Sequence, residues 1–364
     1  MTIIPSLDQL AHTSADIRAF ALSLPNPQRP RTAIYGTGFL GAWACSWLKD
    51  NGFDLVACFD GNPDRAGSRF QGLPVHAPEV IGEIGPELTL ITARHAIGPV
   101  KARLETLGVA SLSFDAFYAA LHFEAFAAVH ELLDDTRSRD VLRAVLAAML
   151  TGEKSYCEAV FEKDQYFCLP RFCGVEKEVF IDAGAYVGDS VERFIWTHYG
   201  VFARIHAFEP GARQHRALKT RTDRLVEEWA LDPEAIVINR SGLGAGEAQM
   251  ASASQSGQLQ SLALGTAAGA DVGAVSVTSL DRYLDGAPAT FIKADVEGME
   301  MALLKGAAQT IARYRPKLAI CVYHYPSDIP QISSYLKSLV PDYRFALRHH
   351  SPQLMETVLY AWAE

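Results

Sequence analysis

The sequence predicts a two-unit α/β protein: a smaller set of alternating strands and helices, a helical connector, then a longer and more regular set. Three observations support this. Short apolar runs alternate with amphipathic segments twice along the chain, as they do in doubly wound sheets. A stretch of purely helical periodicity separates the two sets. With 364 residues and 49% hydrophobic content, the chain has material for two buried cores.

Residues 1–30 read as a lead-in, because Leu24-Pro25-Asn26-Pro27-Gln28-Arg29-Pro30 cannot continue a helix. The first unit, residues 31–115, opens on an apolar run from Thr32 to Tyr35. Gly36-Thr37-Gly38-Phe39-Leu40-Gly41 then starts an amphipathic segment ending near Gly52, and Phe53 to Phe59 forms a second run closed by Asp60. A run from Leu88 to Thr92, a helical pattern from Pro99 to Leu107 and a short run from Ala110 to Phe114 complete this unit. Residues 116–175 form the connector, in which apolar residues recur at helical spacing through Val141-Leu142-Arg143-Ala144-Val145-Leu146.

In the second unit, residues 176–364, strands are predicted from Val179 to Asp182, Arg204 to Glu209, Ala235 to Asn239, Thr290 to Asp295 and Leu318 to Tyr323. Two final runs, Tyr343 to Arg348 and Thr357 to Ala363, lie close together with no helix between them. The expected sheet therefore has seven strands, mostly parallel, with a hairpin at one edge. The Ala/Ser/Gly/Gln-rich stretch from Gly244 to Gly273 reads as an irregular excursion.

A formal net charge of -9 and a pI near 5.7, with scattered lysines and arginines, provide no basic field for a phosphate backbone. Nucleic acid is not an expected partner. The N-terminus lacks a basic segment followed by an apolar core, and no stretch approaches the roughly 18 apolar residues of a membrane span. No membrane span and a cytoplasmic location are therefore expected. The six cysteines form no C-x-x-C pair and no zinc-spaced group with histidine, so they read as reduced thiols.

Candidate chemistry collects at strand ends. Asp182-Ala183-Gly184-Ala185-Tyr186-Val187-Gly188 ends the first strand of the second unit, where glycine lets backbone approach a ligand closely. The next strand ends in Phe208-Glu209-Pro210, and an acid there can accept both hydrogens of a ribose diol. Phe291-Ile292-Lys293-Ala294-Asp295-Val296-Glu297-Gly298-Met299-Glu300 and Tyr323-His324-Tyr325-Pro326 close the fourth and fifth strands, which should bring Asp295 and His324 to one cleft. The plainer alternatives are helix capping for Asp182, Glu209 and Asp295 and an ordinary strand-end role for His324.

These motifs, taken in order with Thr278-Ser279-Leu280-Asp281 and the closing Glu356-Thr357-Val358-Leu359-Tyr360-Ala361, resemble the FkbM family of methyltransferases. The resemblance covers roughly residues 176 to 364 and implies a seven-strand class I methyltransferase fold using S-adenosylmethionine. It implies that Asp182, Gly184 and Gly188 contact the methionine end of the cofactor, with Ala185, Tyr186 and Asp189 in the same turn. Glu209 would then meet the ribose, and Asp295 the place where donor and acceptor meet. Tyr186 departs from the family, which more often has asparagine there. The activity implied is methylation of a hydroxyl, often on a sugar. A hydroxyl is a poor nucleophile near pH 7, so Asp295 and His324 are the candidate catalytic bases. No residue is assigned to a metal. Asp295, Glu297 and Glu300 are a secondary possibility as oxygen ligands.

In the first unit, Gly36-x-Gly38-x-x-Gly41 follows a strand, opens a helix and is trailed by Asp60 about 20 residues later, as a dinucleotide fingerprint demands. Gly36, Gly38, Gly41 and Asp60 therefore form a candidate second nucleotide site, although the unit holds only one mononucleotide-sized half. Asp60-Gly61-Asn62-Pro63-Asp64-Arg65-Ala66-Gly67 also resembles the front domains of sugar-modifying acyltransferases that bind nucleotide sugars. The expected acceptor is a small molecule or glycan, with a nucleotide-linked sugar among the candidates, and residues around Ser252 to Ser261 would help shape its pocket. A homo-oligomer is compatible with the front unit serving as a contact. The alternatives are an NAD-dependent oxidoreductase and a nucleotide-sensing binding protein, each using the front unit.

Overall fold

The computed structural model describes residues 2–174, 177–246, 248–251 and 274–364. The lead-in carries a helix, α1 (Leu7–Leu22), which the sequence left unassigned. It starts on a capping box in which Gln9 N donates to Ser6 Oγ at 3.2 Å and Ser6 N to Gln9 Oε1 at 2.8 Å. Only Leu10 and Ser14 are fully buried, so its apolar stripe is too thin to stand out in the sequence.

The front sheet is built from β1 (Arg31–Tyr35), α2 (Phe39–Asp50), β2 (Asp54–Phe59), β3 (Arg69–Phe70), β4 (Leu73–His76), α3 (Ile81–Ile84), β5 (Leu88–Ile91), α4 (Ile97–Thr106) and β6 (Ser111–Ser113). Its order is β3-β4-β2-β1-β5-β6, parallel except for β3. This corrects the expectation of a single mononucleotide-sized half, since five parallel strands take the doubly wound order with a reversal between β1 and β5. The extra strand escaped notice because β3 and β4, two and four residues long, are too short for a periodic signal.

The connector folds as α5 (Phe114–Leu121), α6 (Phe123–Leu132), α7 (Thr136–Thr151) and α8 (Ser155–Val160). Asp135 caps α7 by accepting from Ser138 N at 2.7 Å.

The second sheet follows from β7 (Val179–Ala183), α9 (Asp189–Thr197), β8 (Arg204–Phe208), α10 (Ala212–Glu228) and β9 (Ile236–Asn239). β10 (Gly242–Leu243), β11 (Ala248–Ala251) and β12 (Ala274–Thr278) make a small side sheet, of which β11 falls within the Gly244 to Gly273 stretch expected to be irregular and the other two flank it. The expected pocket loop around Ser252 to Ser261 lies outside the described residues. The chain continues through α11 (Leu280–Leu284), β13 (Phe291–Ala294), α12 (Glu300–Gly306), α13 (Ala308–Tyr314), β14 (Lys317–Cys321), α14 (Asp328–Leu339), β15 (Arg344–His349) and β16 (Thr357–Trp362). All seven predicted strands form, in the order β15-β16-β14-β13-β7-β8-β9, and only β16 runs antiparallel to its neighbours.

One apolar core runs from Ile34 under the front sheet, through Leu142 in the connector, to Ile292 and Leu359 in the second sheet. The connector also pairs with the last hairpin, through bridges from Leu133 to Phe345 and from Phe161 to His349. The two sheets are thus held by shared packing rather than by a linker. Among the described residues no helix is long and apolar enough to cross a membrane.

Candidate active site

A cavity of about 1310 Å³ lies where the carboxyl ends of both sheets' central strands face each other. The front sheet contributes Gly36 to Leu40, Asp60 and Thr92 to Ile97. The second sheet contributes Gly184, Glu209, Asp295 and His324, and the connector adds Gln165 and Tyr166.

The turn after β7 is shaped by close backbone crossing. Gly184 has φ +78, and a Cβ there would sit 1.8 Å from the carbonyl oxygen of Asp295, so no larger residue fits. Lys293 holds this turn from below, donating to Gly184 O at 2.7 Å while its ammonium lies 3.0 Å from Asp182 Oδ1. Ser190 donates to the other oxygen of Asp182 at 2.5 Å. Glu209, 1% exposed, braces two loops at once, accepting from Tyr186 N at 3.0 Å and Gly211 N at 2.6 Å. Burial pushes its carboxyl up to about 7, although those amides and Lys293 favour the ionised form. Tyr186 has φ 45, a left-handed conformation that asparagine tolerates better than tyrosine.

The turn after β13 gathers the acids. Glu297 at φ 53 and Gly298 at φ 86 reverse the chain, and Glu300 Oε1 accepts from Val296 N at 2.9 Å. Three carboxylates thereby face His324. Its Nδ1 lies 3.1 Å from Glu300 Oε1, and its Nε2 lies 3.5 Å from Glu297 Oε2 and 3.7 Å from Asp295 Oδ1. Burial alone would lower the His324 pKa, but Glu300, Glu297 and Asp295 outweigh it and hold the imidazole well above its ordinary range. Burial would raise Asp295, yet Lys293, His324 and the hydroxyls of Tyr166 and Tyr323 hold it below the usual carboxylate range. Those hydroxyls donate to Asp295 at 3.0 and 3.1 Å.

The front turn is self-satisfied. Asp60 Oδ2 accepts from Thr37 N at 2.9 Å and from the Thr37 hydroxyl, while Oδ1 accepts from Asn62 N at 2.9 Å. Burial opposes ionisation, but these bonds and Arg65 keep Asp60 below its ordinary pKa. Phe39 at the start of α2 stacks on Tyr325 with ring centroids 4.9 Å apart, and Trp43 stacks on the same ring at 4.9 Å. Arg94, after β5, grips Asp115 at 2.6 and 2.9 Å and donates to Tyr323 O at 2.6 Å. The front sheet is therefore fastened to the strand end that carries His324.

Of the residues singled out in the sequence, Gly36, Gly38, Asp60, Gly184, Tyr186, Asp189, Glu209, Asp295 and His324 line this one cavity. Gly41, Asp182, Ala185 and Gly188 do not. Direct contact of Asp182 with a ligand gives way to a positioning role, because it is wholly buried beneath the turn and paired with Lys293 and Ser190. Gly41 lies under the front turn, where a Cβ would meet Gly36 O at 2.2 Å. Tyr166, Gln165, Lys293, Tyr323 and Glu356 were missed as site residues. Lys293 and Tyr323 stood inside the quoted motifs, whereas no local signal marks Gln165 or Tyr166.

The fold and site define a class: a doubly wound α/β protein whose second sheet offers a glycine turn and an acid at adjacent strand ends, as nucleoside-binding sheets do. Residues 182–345 match the family model described as Methyltransferase FkbM domain. Over its whole length the chain is similar to the methyltransferase FkbM from Methylobacillus flagellatus KT, with 23% identity, 98% of this chain and 99% of that chain covered, and a TM-score of 0.59. That likeness extends to the front sheet. Partial overlaps include a UDP-D-quinovosamine 4-dehydrogenase from Vibrio fischeri, at 17% identity, 25% and 84% coverage and TM-score 0.22. An rRNA methylase from Streptococcus thermophilus overlaps at 14% identity, 52% and 89% coverage and TM-score 0.33. No curated protein sequence matches the chain.

Proposed function

We propose that this methyltransferase uses S-adenosylmethionine to methylate a hydroxyl of a sugar or sugar-containing acceptor, with a nucleotide-linked sugar as the leading candidate. The supporting observation is the single cavity. Its volume of about 1310 Å³ exceeds the roughly 300–1,000 Å³ of a common small-molecule pocket, leaving room for two ligands. Its second-sheet end would hold the cofactor, with Gly184, Tyr186 and Asp189 along it and Glu209 receiving the ribose hydroxyls. The fit rests on Glu209, a buried carboxylate held at an uneasy pKa with lone pairs still available to a diol. Its front end, at Gly36 to Phe39 and Asp60, would receive the nucleotide part of the acceptor.

The bound cofactor supplies an already activated methyl group on a sulfonium, so the protein's task is alignment and handling of the hydroxyl. Asp295, ionised and fixed by two tyrosines, accepts the hydroxyl's hydrogen bond and orients its lone pair. Glu300, Glu297 and Asp295 favour the protonated form of His324, so its part is positive charge and shape rather than proton removal.

Calorimetry with S-adenosylhomocysteine, NAD and a panel of nucleotide sugars tests this, with mass spectrometry of any methylated product. Micromolar binding of S-adenosylhomocysteine is expected. Its absence, or NAD binding with turnover, overturns the proposal.

A further inference from the structure

One acid lining the cavity, Glu356, has no role once the cofactor end and Asp295 have theirs. It leads into β16 in a left-handed conformation, φ 60, which a glutamate adopts at a cost and which its surroundings must hold in place. The hold is visible on both backbone and side chain. Glu356 O accepts from His350 N at 2.9 Å, and Glu356 Oε2 accepts from Gln165 Nε2 at 2.5 Å.

The carboxyl of Glu356 stands close to that of Asp295. Asp295, Cys321 and Glu356 each present a side-chain atom within 4.8 Å of the others'. Two hydrogen bonds of about 2.8 Å through one shared hydroxyl span up to roughly 5.6 Å, so a single hydroxyl can join the two acids. Tyr323 supplies one: it donates to Asp295 Oδ1 at 3.1 Å and also bonds the Glu356 carboxyl. Acid, phenol and acid thus form a chain that begins where the acceptor's hydroxyl meets Asp295.

The ends of this chain differ in their hold on a proton. Asp295 is kept below the usual carboxylate range, so a proton placed on it does not stay. Glu356 is raised by burial and by the charge of Asp295, against Gln165, His324 and Tyr323, which favour its ionised form. The other titratable groups that face it, Tyr166 and Cys321, are pushed well above their ordinary ranges by burial and stay neutral, as does Tyr323 between the acids. Neighbouring carboxyls whose environments push them apart in this way divide into a charged group and a proton acceptor. Beside Glu356, Met355 is 39% exposed and also lines the cavity, which gives the proton a way out to water.

We propose that Glu356 is the terminal acceptor of the proton that leaves the acceptor's hydroxyl, reached from Asp295 through the Tyr323 hydroxyl. The proposal rests on the methyl-transfer reading. As the acceptor oxygen bonds to the methyl carbon, the carbon–sulfur bond breaks and its electron pair stays on sulfur. In the same shift the hydroxyl proton passes to Asp295, the Tyr323 oxygen receives a proton from Asp295, and Tyr323 hands its own to Glu356. Asp295 ends ionised and Tyr323 neutral. Glu356 then releases one proton to water, which balances the loss of the sulfonium charge.

The test uses the full-length protein, S-adenosylmethionine labelled in the methyl group, and UDP-glucose, UDP-galactose and UDP-N-acetylglucosamine as acceptors, with kcat and KM measured from pH 5 to 9. Because Glu356 must be ionised to receive the proton, wild-type kcat should fall as pH drops through its raised pKa. Glu356→Gln should lower kcat at least tenfold and abolish this acidic limb, with KM and S-adenosylhomocysteine affinity within threefold of wild type. Tyr323→Phe should do the same, and it decides the matter if the glutamine variant does not fold. The double variant should be no slower than the slower single one, as for residues that act in one chain. A Glu356→Gln or Tyr323→Phe enzyme that keeps the acidic limb, with kcat within threefold of wild type, overturns the proposal. Wild-type protein that methylates none of the three acceptors overturns the reading on which the proposal rests.

Discussion

The front sheet and the second sheet present the same sequence device, a glycine turn after one strand and an acid after the next, yet the two acids live differently. Asp60 takes three hydrogen bonds from its own loop and is held ionised, whereas Glu209 is buried on two backbone amides and pushed toward neutrality. One carboxylate is a charged brace with three partners. The other retains unused acceptor capacity in a place where charge is costly, the condition under which a ligand's hydroxyls gain most.

The glycines separate the sheets by the largest margin. Gly184→Ala places a methyl against the Asp295 carbonyl and should lower stability by about 4 kcal/mol or more, read as a collapse of the thermal midpoint. If that variant unfolds normally, the crossing of the two turns is not what shapes the site.

The acids come next. Glu209 has a folded pKa of about 7 against an ordinary 4.5, so it favours the folded state fully below the lower value and loses that contribution as pH rises through the higher. The slope amounts to about 3 kcal/mol at most between those limits, and it should vanish in Glu209→Gln when denaturation is followed from pH 4.5 to 8. The same variant should weaken S-adenosylhomocysteine binding by about 10- to 100-fold, the range for lost hydrogen bonds to a charged group. Asp60→Asn should leave that affinity unchanged and cost about 1 kcal/mol of stability. Equal effects of the two substitutions on affinity would erase the distinction.

Gly38 has no atom near its missing side chain, so Gly38→Ala should change stability by less than about 1 kcal/mol. If the front turn receives an acceptor nucleotide, calorimetry should show this near-silent change reducing nucleotide-sugar binding. The smallest effect belongs to Tyr186→Asn, which relieves a left-handed tyrosine and should add about 0.5 kcal/mol in a denaturant titration.

The seven strands of the second sheet were legible as apolar runs, and three of them, β7, β8 and β13, run into Gly184, Glu209 and Asp295, which line the cavity. Glu209 and Asp295 could be placed for that reason. The strand pair of residues 69–76 was not, being shorter than any period. Tyr166 was invisible for a different reason, since it reaches Asp295 across 129 positions of sequence from an irregular segment. Asp182 shows the opposite error: a motif residue was taken for a contact when burial had made it a foundation for Lys293.

The stacking of Phe39 and Trp43 on Tyr325 means that cutting the chain near residue 175 would not liberate a working catalytic module. The severed half would carry an exposed aromatic face, lack Tyr166 against Asp295, and leave the acid turn open to water on the side that α2 now covers. Work on the isolated methyltransferase domain would report on a different chemical environment from the one the whole chain builds.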